Sequence, residues 1–430
     1  MSNSIKVAVA GLGNVGVGVL KILQDHKELI AERAGRTIEI VAVSARSKDK
    51  NRDVDLSDYE WVDDATELAS LEGVDIVVEL IGGEEGIAYK LAKDTLENSK
   101  SLVTANKAMV AHHGAVLANL AQDNDVSLRY EAAVAGGIPI IKAIGEGLAA
   151  NRLSLVYGIM NGTTNYMLSQ MEATGKSYDV ILEETDALGY LEADPALDLD
   201  GIDAAHKLAI LSSVAFGTKT DFENVYIEGI RKIETIDIEY GKELGFRIKL
   251  LGITKYEDGA LSQRVHPVMI DRNLPIANVM DGFNALVVDG DFIDRTFYQG
   301  RGAGEGPTAS AVVADLIDIA RGHNGPAFFK PASKLVEASP VSINQRKGAY
   351  YIRLHVQDEA GVIADITASI KQANVSVETM LQKGTQQDGT VYVVLTTHDT
   401  TETALKDALN RINELASVLE APLSIRIEKL

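Results

Sequence analysis

The chain contains no cysteine in 430 residues. Disulfides, thiolate metal sites and every cysteine nucleophile are thereby excluded. Aromatic residues make up only 5%, too few for recognition by base stacking. Positive charge is also short: 41 lysines and arginines face 62 acidic side chains, for a net charge of −21. Such a field repels phosphate backbones and anionic lipids, so the composition argues against nucleic-acid and membrane-surface partners. Long hydrophobic runs are missing too. The longest uncharged, mostly apolar stretch, Ala132–Ile141, carries two glycines and a proline and is far too short to span a bilayer. Met1-Ser2-Asn3-Ser4 runs straight into an apolar strand with no basic segment ahead of it, so no signal peptide is expected and the simplest location is cytoplasmic.

What is present is a chain with 46% hydrophobic and 24% charged residues, enough to bury two or three domain cores. In the first third, apolar runs at Ile5–Ala10, Ile38–Val43, Asp75–Ile81, Ser101–Thr104 and Val126–Glu131 alternate with helical patterns at Val15–Ala34, Gly86–Asn98 and Ala108–Asn124. That alternation predicts α/β architecture with a doubly wound parallel sheet over residues 1–130. Residues 131–304 read as a mixed α+β domain, with helices near Asn165–Glu172, Tyr178–Leu188 and Ile202–Phe216 and strands near Gln263–Ile270 and Asn284–Val288. A helix at about 305–322, after the glycines of Gly300–Gly306, is expected to complete the first domain. Residues 323–348, turn-rich and holding Pro326, Pro331 and Pro340, read as a linker. Residues 349–430 then show a βαββαβ order, with a turn at Gln386–Gly389, which predicts a ferredoxin-like unit.

Gly11-Leu12-Gly13-Asn14-Val15-Gly16 follows a strand and opens a helix. In that context Gly11 makes the tight turn, Gly13 admits a pyrophosphate and Gly16 allows close helix–strand packing, a dinucleotide site. The second strand ends without the acidic residue that holds a ribose 2′-hydroxyl; Ser44, Arg46 and Lys48 stand there instead. These suit a 2′-phosphate, so NADP(H) is preferred and NAD(H) stays open; a solvated basic turn is the alternative. Thr104-Ala105-Asn106-Lys107 lies at a strand's carboxyl edge, where open α/β sheets bind ligands, which makes Lys107 a candidate for substrate or nicotinamide contact. Further on, Asp203 and Lys207 stand four residues apart on a helix apolar on most sides. Buried charges of this kind are paired or functional; a structural ion pair is the bland alternative, and His206 reads as a packed histidine.

The segment Gly189-Tyr190-Leu191-Glu192-Ala193-Asp194-Pro195, continued by Asp198, Gly201, Asp203 and Lys207, strongly resembles homoserine dehydrogenases. Thr104–Lys107, Asn161-Gly162-Thr163-Thr164-Asn165 and Gly302–Ala311 fit the same family in the same order, and residues 349–430 resemble an ACT amino-acid-sensing domain. The resemblance implies reversible hydride transfer between C4 of L-homoserine and NAD(P)+, giving L-aspartate 4-semialdehyde. It assigns proton transfer to Lys207 and Lys107, Lys207 being the stronger candidate. A lysine suits that role if desolvation lowers its pKa with Asp203 close enough to orient it. It gives substrate contacts to Glu192, Asp198, Asp203, Lys107, Gly189 and Tyr190. Cofactor contacts fall to the Gly11–Gly16 loop, Ser44, Arg46, Lys48, Thr104, Lys107, Gly302 and Gly304. It also implies a sodium ion (Na+) held by the carbonyls of Glu131, Val134, Gly136 and Ile138, a homodimer or homotetramer, and L-threonine as effector at the ACT loop Gln357–Val362. Two rivals stand beside this reading. One is another nicotinamide enzyme acting on an amino-acid-like alcohol or aldehyde, of which aspartate-semialdehyde dehydrogenase is excluded because it needs a cysteine nucleophile; the other, a non-enzymatic cofactor- and amino-acid-binding sensor, would not need Lys107, Glu192, Asp203 and Lys207 together.

Overall fold

The computed structural model describes residues 4–191, 194–384 and 388–430. Glu192, and part of the Gln386–Gly389 turn, lie outside them. The first layer is a six-stranded parallel sheet of β1 (Ser4–Ala10), β2 (Thr37–Ser44), β3 (Glu60–Trp61), β4 (Ile76–Glu79), β5 (Ser101–Thr104) and β6 (Leu128–Arg129), in the order β3-β2-β1-β4-β5-β6. Its central strands are near-continuous apolar runs, with Val7, Val9, Val77 and Val78 at zero exposure, because helices cover both faces. Those helices include α1 (Asn14–Asp25), α2 (Lys27–Ala34), α3 (Ile87–Glu97) and α4 (Lys107–Asp123). The order reverses beside β1, so the crevice at the carboxyl ends of β1 and β4 is the topological switch point.

The second layer begins after α5 (Ile140–Lys142). Its strands are β7 (Leu153–Ile159), β8 (Tyr226–Ile227), β9 (Phe246–Glu257), β10 (Ala260–Asp271), β11 (Phe283–Gly290) and β12 (Asp294–Arg301). They are packed by α6 (Gly162–Thr174), α7 (Tyr178–Ala187), α8 (Pro195–Leu199), α9 (Ile202–Phe216) and α10 (Thr235–Glu243). Strands β9 and β10 form a long hairpin turned by Asp258 (φ 49°) and Gly259 (φ 83°), an Asp-Gly pair suited to a tight two-residue loop. α11 (Glu305–Ala320) returns to the first layer and packs on α1, where a Cβ on Gly18 would lie 3.0 Å from that of Ala309.

The C-terminal unit contains β13 (Ser339–Pro340) and β14 (Lys347–Gln357), then α12 (Val362–Gln372), β15 (Val377–Gln382), β16 (Thr390–Thr397), β17 (Thr400–Thr401), α13 (Glu402–Asn413) and β18 (Leu423–Ile427). Its order β18-β14-β16-β15 is ferredoxin-like, and it is not a separate sheet. Strand β18 pairs with β10 through Val268–Arg426 and Met269–Ile427, so one mixed sheet runs from β12 to β15. Buried and part-buried polar contacts reinforce the junction. Tyr351 donates to Asp237 at 3.0 Å, Arg353 reaches Glu234 at 2.6 Å, and Arg426 bridges Glu228 and Glu402 at 2.7 and 2.5 Å.

Three sequence expectations need correction. The single helix Val15–Ala34 is two, because the backbone at His26 (φ −112°, ψ 24°) leaves the helical region and re-aims the chain. The strand expected over Val126–Glu131 shrinks to Leu128–Arg129. Tyr130 turns at φ −153°, ψ 32°, and the Glu131 N–H donates to Asp315 on α11, which pulls the chain out of the sheet. The stretch 323–348 is no free linker. Its Ala327, Phe328, Ala332 and Leu335 are buried, Tyr130 donates to the Ala327 carbonyl at 2.7 Å, and Val341 donates to Leu261. Turn-rich sequence without periodicity gives no hint of a partner; the partners are α4 of the first layer, where Gln122 accepts from the Ala332 N–H at 2.8 Å, and β10 of the second.

Candidate active site

At the end of β1 the loop Gly11–Gly16 shows why each glycine stands there. Gly11 sits at φ +100°, and a Cβ on it would lie 2.5 Å from the Leu80 carbonyl oxygen. A Cβ on Gly16 would lie 2.0 Å from the carbonyl oxygen of Gly11. Around Gly13 nothing approaches within 4 Å, so the space over it is open. Gly13 caps α1 with no side chain on the first N–H groups, which leaves donors and a positive dipole end for an anion. Leu12, Asn14 and Val15 complete this turn. Ser44, buried at the end of β2, accepts from the Gly11 N–H through its carbonyl at 2.9 Å. Arg46 and Lys48 are exposed beyond it. Sequence reasoning missed Arg52, which reaches back to the Leu12 carbonyl at 3.2 Å and lies 5.7 Å from the Trp61 ring centroid. Its only signal was a basic residue four positions after Lys48.

At the carboxyl end of the next strands, Thr104 donates to Glu79 at 2.6 Å and accepts from the Asn106 N–H at 2.9 Å. Asn106 in turn caps α4, accepting from Met109 at 3.1 Å, and so aims Lys107 out of the first layer. Glu79, also missed, accepts from the Ile81 and Gly82 N–H groups at 2.7 and 3.1 Å and shapes the loop after β4. An acid ending an apolar run was its signal.

The two layers meet at Asp203. Lys107 approaches one of its carboxylate oxygens at 2.9 Å and Lys207 the other at 2.7 Å. Asn161 bridges Asp203 and Asp198 with its amide, at 2.9 and 2.7 Å. Lys207 also donates to the Met160 carbonyl at 2.8 Å, and Asn284 to the same oxygen at 3.1 Å. Asp203 and Asp198 are each 3% exposed, so neither charge is shared with bulk water. Burial by itself would raise the Asp203 carboxyl, but the ammoniums of Lys207 and Lys107, with hydrogen bonds from Lys207 and Asn161, hold it well below the usual carboxylate range. The result is a cluster of two ammoniums and two carboxylates, buried except at Lys107, where the two layers meet. Such a cluster can bind a zwitterion and exchange a proton with it.

Other candidates fall elsewhere. Gly189 (φ 71°) and Tyr190 are exposed; Tyr190 stacks edge-on against Tyr166 at 5.0 Å and its carbonyl accepts from Thr163. No described hydrogen bond joins Gly189 to the lysine cluster. Gly302 packs on Asn284, whose amide nitrogen would lie 2.0 Å from an added Cβ, and Gly304 (φ +115°) begins α11. Both therefore line the seam between layers, and Glu305 beside them pairs with Lys21 at 3.1 Å.

In the turn after β6, Ala135 adopts φ 53° and its carbonyl accepts from Ile138 at 2.7 Å. The Glu131 carbonyl accepts from Val134 at 3.4 Å and the Ile138 carbonyl from Ile140 at 2.7 Å; each keeps a second lone pair. With Val134 and Gly136 they offer neutral oxygens, a donor set that fits a hard cation. The Glu131 side chain points to α5 and accepts the Ile141 and Lys142 N–H groups at 2.9 Å each. Burial, with Asp315 nearby, pushes its carboxyl up to about 7.

Comparison with known proteins agrees over the whole chain. The homoserine dehydrogenase family pattern matches residues 139–317, its NAD-binding domain residues 11–131 and the ACT domain residues 350–417. A homoserine dehydrogenase of Neisseria gonorrhoeae is 44% identical, with 99% of each chain covered. The crystal structure of a homoserine dehydrogenase from Thiobacillus denitrificans superposes with a TM-score of 0.93 at 42% identity, covering 99% of this chain and 98% of that one. A hyperthermophilic archaeal homoserine dehydrogenase mutant in complex with NADPH matches 73% of this chain and 97% of its own, with a TM-score of 0.63 at 26% identity.

Proposed function

The chain belongs to the homoserine dehydrogenase family, and on that premise we propose that Lys207 is the proton carrier of its reaction. It is an NAD(P)-dependent oxidoreductase of a CH–OH group, interconverting L-homoserine and L-aspartate 4-semialdehyde in amino-acid biosynthesis. The observation that carries the proposal is the single carboxylate of Asp203 held between Lys207 and Lys107 where the two layers meet. The nicotinamide, when bound, supplies or accepts the hydride. In the reductive direction the Lys207 ammonium gives its proton to the aldehyde oxygen as that oxygen gains charge, and Asp203 keeps Nζ aimed. In the oxidative direction Lys207 takes the hydroxyl proton back. Lys107, less buried, orients the substrate from the first layer. Asp198 and Glu192 receive the α-ammonium group, for which an acidic pocket is electrostatically apt. The test is a Lys207 variant with normal cofactor affinity and a collapsed rate of hydride transfer.

NADP(H) is the preferred cofactor in this reading. Arg46 and Lys48 stand where an acidic ribose-binding residue would be, and Arg52 sits over the loop. Affinities for both cofactors measured on Arg46→Ala test it. The carbonyls of Glu131, Val134, Gly136 and Ile138 hold Na+, which steadies the turn between the layers. Two or four copies associate through the open β12 side of the second sheet, where Phe292 is 87% and Phe297 39% exposed. The ACT domain takes an amino acid, L-threonine, at Gln357–Val362, where Gly361 at φ 101° starts α12 with no side-chain cap. The enzyme works in the cytoplasm, where its small-molecule substrates and nicotinamide pool reside.

A further inference from the structure

Beside the lysine cluster, on its outer side, three side chains from three elements converge. Glu84 lies in the loop after β4, His112 on α4 and His206 on α9. One ligand atom from each lies within 4.8 Å of the other two. His112 Nε2 is already 3.1 Å from the Glu84 carboxylate, while its Nδ1 faces Glu223 at 3.8 Å. The rings are fixed by packing on Phe222, whose centroid is 4.4 Å from His206 and 4.7 Å from His112. None of these groups has a part in the proton transfer.

We propose that Glu84, His112 and His206 form a binding site for one divalent transition-metal ion of the zinc class. Two imidazoles and a carboxylate are the borderline donor set such ions prefer, and the chain has no thiolate to compete. Tetrahedral ligands at zinc distances stand about 3.4 Å apart, so closure from separations of at most 4.8 Å needs His206 and the Glu84–His112 pair to draw together by about an ångström. Coordination through Nε2 of His112 leaves Nδ1 facing the Glu223 carboxylate, 3.8 Å away, a charge that favours an N–H on that side. A water completes the fourth position. The bound ion would join the first layer, through Glu84 and His112, to α9 of the second, one residue from Lys207.

The experiment is a titration of the chelator-treated full-length protein with Zn2+ against a chromophoric zinc indicator, repeated with Co2+ to read the ligand-field spectrum. The wild type is expected to take up one equivalent at least tenfold more tightly than His112→Ala or Glu84→Gln. Dehydrogenase activity in chelator should match among the three, which shows that the variants are folded. The nearby pair Glu85 and His113, 2.9 Å apart, serves as control. His113→Ala should keep the tight equivalent. Equal zinc affinity in wild type and His112→Ala overturns the assignment, as does loss of the tight equivalent in His113→Ala.

Discussion

Replacing Lys207 with methionine keeps most of the side-chain volume and removes only the ammonium. The structure separates its effect on rate from its effect on stability. A positioned general acid or base contributes roughly 10²–10⁴ in rate, which is about 2.7–5.5 kcal/mol of barrier. Stability should suffer less. Without Lys207, Asp203 still has Lys107 at 2.9 Å and Asn161 at 2.9 Å, and the Met160 carbonyl still accepts from Asn284 at 3.1 Å. No buried group is orphaned, so the usual cost of about 3–5 kcal/mol for an abandoned buried charge does not apply, and the loss should stay below about 3 kcal/mol. Asp203→Asn is the opposite case. It leaves the buried Lys207 ammonium without its carboxylate partner and should cost about 3–5 kcal/mol. Single-turnover absorbance at 340 nm with homoserine and NADP+ reads the chemical step free of product release, and denaturant unfolding without ligands reads stability. Turnover of Lys207→Met within tenfold of wild type would refute the assigned role. A variant less stable than Asp203→Asn would refute the picture of the shared carboxylate.

Arg46→Ala is expected to raise KM for NADP+ about tenfold or more while leaving KM for NAD+ within about twofold, since only the 2′-phosphate uses it; equal changes would mark a solvated turn. Glu131 titrates near 7 in the fold against an ordinary 4.5. A raised carboxyl favours the protonated fold, so its contribution is complete below pH 4.5 and disappears as pH rises through 7, by up to about 3 kcal/mol. Glu131→Gln should therefore flatten the fall in urea midpoint between pH 5 and 8, and an unchanged slope would contradict this. Gly361→Val puts a branched side chain at φ 101° where α12 begins. It should abolish inhibition by threonine and leave activity without threonine within about threefold; persistent inhibition would move the effector site elsewhere. Ending the chain near Ser342 is a poorer test, because β10 would lose β18 and Asp237 would lose Tyr351 and Arg353.

Much of the molecule is local and therefore readable in the chain. Near-continuous apolar runs such as Val7–Ala10 announce strands covered on both faces, and glycines at 11, 13 and 16 announce a turn that only backbone can occupy. The i, i+4 spacing of Asp203 and Lys207 predicts their pairing, because a helix places those positions one above the other. The Asp258-Gly259 pair marks a turn in the same local way, whereas β9 carries no clean strand signal because its polar and apolar residues do not alternate. Other features have no local signal. Lys107 reaches Asp203 only because α4, which it begins, packs against α9 of the second layer, a consequence of strand order and layer packing. Arg52 comes to Leu12, and Asn161 to both Asp198 and Asp203, by the same long-range closure. The C-terminal unit is recognisable from its element order, but its fusion to β10 depends on two backbone pairings and on buried ion pairs with distant partners. Periodicity and turn chemistry act over a few residues, whereas the site is made by contacts between segments far apart in the chain, whose geometry is set when the two sheets pack.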